Sequence, residues 1–167
     1  DPHIDFLWCQ EYGLMKDAVR AYMAAASYAD ACAGVVLDAL ANSPYVDNTI
    51  VVLWGDHGWK LGEHNGWCKM TNYEIDTRVP MIFSGYGVEA KGRKSPSLTE
   101  FVDIYPTLCE LAGIPIPGFF EGQSLAGLIR YPETSVREAS LSQYPRNGKM
   151  GYSLRTERFR YTRWVSG

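Results

Sequence analysis

The chain has 167 residues, 46% of them hydrophobic and 21% charged, with a formal net charge of −3. That is the composition of a folding domain with an apolar core, and it excludes disordered and collagen-like classes. No global basic field exists, so net charge favours neither nucleic acid nor an anionic membrane surface as a partner.

No run of about 18 uninterrupted apolar residues occurs, so no membrane span is expected. The cysteines Cys9, Cys32, Cys68 and Cys109 are widely spaced and form no CxxC pair, which argues against a structural zinc site. Cys32 and Cys109 fall in helical apolar patterns and read as small buried hydrophobes. The first residues, Asp1-Pro2-His3-Ile4-Asp5, show neither methionine nor a targeting pattern, and the expectation is a piece of a longer protein.

In chain order, apolar residues recur at helical spacing from Asp17 to about Leu40: Val19, Tyr22, Met23, Ala26, Ala29, Ala33, Val36, Leu37 and Leu40. Asn42-Ser43-Pro44 stops this helix, because proline removes a donor and restricts the residue before it. Residues 49–54 (TIVVLW) form a β-branched run with almost no polar alternation, as in a strand buried on both faces of a parallel sheet. A second such strand is expected from Met81 to Ser84. Between them runs a loop, Asp56 to Arg78, long enough to imply function.

Ser97-Leu98-Thr99-Glu100 has capping-box spacing, and a helix is expected from Phe101 to Ala112, closed by Gly113 and Pro115. Residues 124–129 read as a short helix. Tyr152–Thr156 and Phe159–Val165 alternate around Glu157-Arg158 and read as an antiparallel hairpin. The order of elements defines an α/β class with a late antiparallel element.

Asp56 and His57 follow TIVVLW immediately, where ligands bind in open α/β sheets. A carboxylate and an imidazole suit a divalent cation, and the flanking Gly55 and Gly58 let adjacent side chains converge. A capping aspartate in a turn would look the same over two residues. The continuation is what separates them: Gly62, Glu63, His64, Gly66, Trp67 and Lys69 follow within a short span. Lys69 would place a compact positive charge beside an anion, and its bland alternative is a surface lysine.

The stretch from Asn48 to Lys69, NTIVVLWGDHGWKLGEHNGWCK, resembles the second signature of the sulfatases, a family of the alkaline phosphatase superfamily. Thr77–Phe83 is similar to that family's next strand, Ser97–Pro115 to its following helix and Glu121–Leu125 to the turn after it. Residues 143–146, 150–156 and 160–162 look most like the iduronate-2-sulfatase branch. The resemblance implies part of an alkaline-phosphatase-like, mostly parallel sheet flanked by helices. It implies a catalytic-domain portion over 1–135, and the start of a C-terminal antiparallel subdomain over 136–167.

It also implies sulfate-ester hydrolysis through one divalent ion, with calcium favoured by an oxygen-rich site. Asp56 and His57 match the late metal pair, and Lys69 matches the lysine that contacts the sulfate. His64 is expected to be structural or supporting. The expected partners are a sulfated carbohydrate substrate and the remainder of the sulfatase chain, with an exported or lysosomal address.

The family's nucleophile is a formylglycine made from a Cys/Ser-x-Pro-Ser-Arg motif. None of the four cysteines opens that motif, and Ser95-Pro96-Ser97 lacks its spacing and arginine. The family's early Asp-Asp metal pair is absent too, so this chain alone is expected to be inactive. Two other readings remain open at this point. One is a phosphoryl- or phosphonate-ester hydrolase of the same superfamily. The other is a degenerate remnant that binds sulfated glycan through Arg155, Arg158, Arg160 and Arg163.

Overall fold

The structure is a computed structural model, and it describes residues 3–166. In chain order the elements are α1 (Ile4–Glu11), α2 (Met15–Ala41), β1 (Ile50–Trp54), β2 (Lys60–Leu61), β3 (Trp67–Cys68) and α3 (Glu74–Thr77). There follow β4 (Met81–Gly85), α4 (Ile104–Leu111), α5 (Ala126–Arg130), β5 (Ala139–Arg146), β6 (Lys149–Thr156) and β7 (Arg160–Ser166). The chain divides into two units. One joins the residues up to Val46 with Asp56–Val79; the other joins Asp47–Gly55 with the residues from Pro80 onward.

In the first unit, α2 matches the periodicity read from the sequence. Its end is capped by Asn42, whose backbone and side-chain N–H groups both donate to the Asp38 carbonyl, at 3.1 and 2.8 Å. Ahead of it stands α1, which the sequence reading left unassigned. Its N-cap is His3, whose Nδ1 accepts from the Asp5 N–H at 3.4 Å.

No residue of α2 is buried. Cys32, expected inside, is therefore exposed, whereas Cys9 and Cys109 are buried; all four thiols are free. The helical period located the apolar residues correctly, but most of them stay exposed, with Val19, Ala33 and Leu40 only half-buried. By length and composition α2 is the one described helix that could cross a membrane, although Arg20, Asp30 and Asp38 punctuate it.

In the second unit, β1 and β4 pair antiparallel from Ile50↔Gly85 to Trp54↔Met81. Both strands fall where the apolar runs placed them. Their mutual antiparallel pairing was not specified by the sequence, and the burial on both faces expected of them is corrected: Leu53, Trp54 and Ile82 are open to solvent. An apolar run records that a strand has apolar neighbours, and it carries no information on the direction of those neighbours.

The packing of α4 centres on Asp103, which is completely buried. Its Oδ2 accepts from the Glu100 N–H at 2.7 Å, so the capping box stands one turn later than Ser97–Glu100. Its Oδ1 accepts from the Gln123 N–H at 2.9 Å and from the Arg137 guanidinium. Arg137 also pairs with Glu100 Oε2 at 2.5 Å, and Glu100 Oε1 takes the Leu141 N–H of β5 at 2.6 Å. One turn along, the Thr107 hydroxyl donates to the Asp103 carbonyl and accepts from the Leu125 N–H ahead of α5. A single carboxylate thus ties α4, the lead-in to α5 and the first strand of the last sheet.

That sheet has the order β5-β6-β7 and is antiparallel throughout. The expected hairpin is present as β6 and β7. The added strand, β5, turns into β6 at Asn147-Gly148, both at positive φ (52° and 71°). Those are the residues that such a two-residue turn demands. The α/β class with a late antiparallel element is the observed architecture.

Among the described residues the buried apolar set is small: Cys9, Trp67, Cys109, Leu125, Ala126 and Leu128. The chain exposes 11926 Å². Globular scaling gives about 8,300 Å² for this mass, and only about 10,000 Å² for two fully separate units of these sizes. Much apolar surface is therefore uncovered, with or without contact between the units.

Replacing Asp103 by Ala leaves the Arg137 and Glu100 groups without their buried partner. We expect a loss of about 3 to 5 kcal/mol of stability, read from urea unfolding of the second unit's signals. A change below about 1 kcal/mol would show that the cluster does not organise the fold.

Candidate functional site

Asp56 and His57 open the loop two residues after β1, and the loop is more structured than the sequence suggested. β2 and β3 form a short antiparallel ribbon in which Lys60 pairs with Cys68 and Leu61 with Trp67. The turn between them closes through Gly62 N–H to the Gly66 carbonyl at 3.0 Å. Lys69 follows β3 directly, so the ribbon carries it back beside His57.

The three residues singled out from the sequence meet here. His57 Nε2 lies 2.5 Å from Lys69 Nζ and 3.4 Å from Asp56 Oδ2, while His57 Nδ1 lies 2.9 Å from the Gly58 carbonyl oxygen. An ammonium has only donors and a carbonyl only lone pairs. Both contacts therefore require one tautomer, with the proton on Nδ1 and the lone pair on Nε2. A carboxylate oxygen and an imidazole lone pair thus converge on one point, where the ammonium of Lys69 supplies a positive charge. The Asp56 side chain is otherwise 83% exposed, so its second oxygen is accessible.

This geometry fits a divalent cation as part of a ligand set. A ligating histidine characteristically donates its other ring N–H to a carbonyl or carboxylate, as His57 does to Gly58. The set is incomplete, since calcium takes about six to eight oxygens. Among the described residues no cluster of three or more His, Cys, Asp or Glu side chains could hold a metal.

His64 stands apart from the trio. At φ 55° it closes the turn between β2 and β3 and stacks on Tyr73, with ring centroids 4.2 Å apart. Trp59 lies between His57 and Tyr22, at centroid distances of 6.2 and 5.9 Å, and gives the imidazole an aromatic flank. Sequence reasoning gave Trp59 no role, and it gave none to Lys60 and Asp76 either. These last two form a buried ion pair at 2.5 Å. A lysine and an aspartate sixteen positions apart carry no local signal of pairing.

Gly58 is required for close approach. A Cβ there would overlap the carbonyl oxygen of Ile75, next to the hydrogen bond from the Gly58 N–H to the Asp76 carbonyl at 2.8 Å. Cys68, at φ 66°, has a thiol that donates to Asp5 Oδ2 at 3.8 Å. Burial first, then the Asp5 charge and this hydrogen bond, raises its pKa above the ordinary thiol value.

Comparison with known proteins places this chain in a family. The sulfatase family model matches residues 5–114, well over half the chain, and the chain belongs to the sulfatase family. A protein named sulfatase from Formosa agariphila is 36% identical over 160 residues, covering 96% of this chain and 31% of that protein. Iduronate 2-sulfatase of Homo sapiens is 32% identical, covering 87% of this chain and 38% of that enzyme. Among solved structures, BT4656 in complex with its substrate D-glucosamine-2-N,6-O-disulfate superposes with a TM-score of 0.71 at 29% identity. That match covers 77% of this chain and 28% of the other. The chain spans about a third of the length of these curated relatives. The sulfatase resemblance carried by residues 48–69 and the iduronate-2-sulfatase likeness read at residues 143–146, 150–156 and 160–162 are thus borne out.

Three outcomes are expected. Gly58→Ala should cost about 1 to 3 kcal/mol in urea unfolding, because backbone rather than a flexible side chain must give way. For Cys68 the sign follows from the raised pKa. The fold favours the protonated thiol, so this contribution to stability is lost as pH rises from the unfolded thiol's pKa through the folded one. Asp5→Asn removes the repelling charge and should speed iodoacetamide alkylation of Cys68 at a fixed alkaline pH. An unchanged rate would refute the Asp5 contribution.

Proposed function

We propose that this chain forms the late half of a sulfatase active site acting on sulfate esters of a sulfated sugar, with an iduronate-2-sulfatase-like substrate class. The observation that carries this reading is the convergence of Asp56, His57 and Lys69 at the head of one loop. Further support comes from the D-glucosamine-2-N,6-O-disulfate substrate held in the solved BT4656 structure and from the likeness to human iduronate 2-sulfatase.

In this reading Asp56 and His57 hold one divalent ion, for which calcium is the candidate, together with ligands outside this chain. Such an ion supplies Lewis-acid neutralisation of charge on the transferring sulfuryl oxygens. The formylglycine nucleophile also lies outside these residues. Lys69 binds the sulfate as an anion and offers a proton-rich, positively charged group to the departing alkoxide oxygen, where charge develops. Gly58 holds the ring's only proton on Nδ1, so His57 presents an Nε2 lone pair that accepts from Lys69 here and would exchange that contact for the ion. The flank of Trp59 and Tyr22 restricts water on one side of the imidazole. Family membership carries with it the proposal of an exported or lysosomal setting.

The test is turnover of an aryl sulfate with calcium present. This chain alone should show none above its Lys69→Ala variant. Joined to a formylglycine-bearing partner segment it should hydrolyse sulfate esters, and Lys69→Ala should then lower kcat by about a hundredfold to a thousandfold. Turnover by the chain alone, or restored activity confined to phosphate or phosphonate esters, would overturn the reading.

A further inference from the structure

The loop holds Asp56, His57 and Lys69 in order through a residue that touches none of them. We propose that Asp76 is the positioning residue of this site. Its buried carboxylate and its backbone carbonyl clamp together the two stretches that carry His57 and Lys69.

The observations are these. Asp76 is 5% exposed and Lys60 3%, and their side chains form an ion pair at 2.5 Å. The Thr71 hydroxyl donates to the same oxygen, Oδ2. Asp76 Oδ1 is buried with no hydrogen-bond partner among the described residues, so Oδ2 alone bears these contacts. At the same residue the backbone carbonyl accepts from the Gly58 N–H at 2.8 Å. Lys60 and Gly58 belong to the arm that carries His57, and Thr71 lies two residues beyond Lys69 on the other arm. Asp76 therefore grips both arms at once. Gly66 leaves the trough in which the Lys60 stem runs, since a Cβ there would come 2.7 Å from Lys60 Cε.

A buried ion pair adds little net stability, because desolvation of both charges offsets most of the attraction. What it can supply is one register, as the charges tolerate few alternative arrangements. Here that register brings Lys69 Nζ to His57 Nε2. Without the clamp, the arms remain joined by the short β2–β3 ribbon, which has only two residue pairs and fixes neither end.

This proposal depends on the sulfatase reading for its functional meaning, but its test does not. The readout is the tautomer of the His57 ring, followed by long-range 1H–15N correlation on the full 167-residue chain with labelled histidine. Neither metal nor sulfate ester is added, so failure of the sulfatase reading leaves this result intact. His57→Ala assigns the peaks. The unaltered chain should show His57 as a single Nδ1–H tautomer at about pH 8. Asp76→Asn should lose that single pattern while amides of the second unit keep their wild-type shifts.

A second variant covers the case in which Asp76→Asn does not fold, since it strands the Lys60 charge. Lys60→Met with Asp76→Leu replaces the pair by apolar side chains, an exchange that buried pairs often tolerate. It too should lose the single tautomer. Three results would overturn the proposal. They are a mixed tautomer in the unaltered chain, a wild-type pattern in either folded variant, and unfolding of both variants, which would make Asp76 a general support of the fold.

Discussion

A carboxylate taken out of water must be answered by donors, and each unit of this chain is arranged around one that is. In the first unit Asp76 draws Lys60 and Thr71 to one oxygen while its backbone takes Gly58. In the second, Asp103 gathers Glu100, Gln123 and Arg137 from three separate stretches of chain. Neither carboxylate is one of the candidate site's three residues. Some of their donors, Lys60 and Gly58 for Asp76 and Gln123 and Arg137 for Asp103, come from positions far apart in sequence, so satisfying them specifies which segments lie together. The apolar core, confined to a few side chains, could not make that choice alone.

The functional trio shows the same economy of parts. A ring proton given to the Gly58 carbonyl determines the face that the other nitrogen presents. That nitrogen then stands beside an acidic oxygen and a primary ammonium. Nothing in this arrangement needs a deep pocket. In the function proposed above, selectivity for an anion held through a cation rests on which atoms carry hydrogens, together with ligands outside this chain.

Much of this was legible in the sequence, for identifiable reasons. Asp56, His57 and Lys69 could be found because chemistry-bearing types cluster with glycine after an apolar strand. The α2 span could be found because a 3.6-residue period persists over many turns. Strand direction was not legible at β1 and β4, since an apolar run looks the same whichever way its neighbour runs. Burial of Cys32 was misjudged because periodicity reports a face and says nothing of what covers it. The Asp103 box was placed a turn early: Ser97 and Glu100 have the right spacing, but their side chains serve Val136, Leu141 and Arg137 instead. Lys60 and Asp76 were invisible because a long-range ion pair leaves no periodic trace. The Asn147-Gly148 turn, by contrast, was a signal available in the sequence and left unused.

The open length of α2 bears on how this chain would melt. The heat capacity of unfolding, and the slope of stability against denaturant, both scale with the surface that passes from buried to wet. A chain whose longest helix contributes no buried residue has little such surface to release there. Its transition should be shallow in denaturant and broad in temperature for its length. Anything that lies down along Met23, Val35 and Val36 would sharpen both. The steepness of unfolding is thus a thermodynamic gauge of how completely that helix is covered.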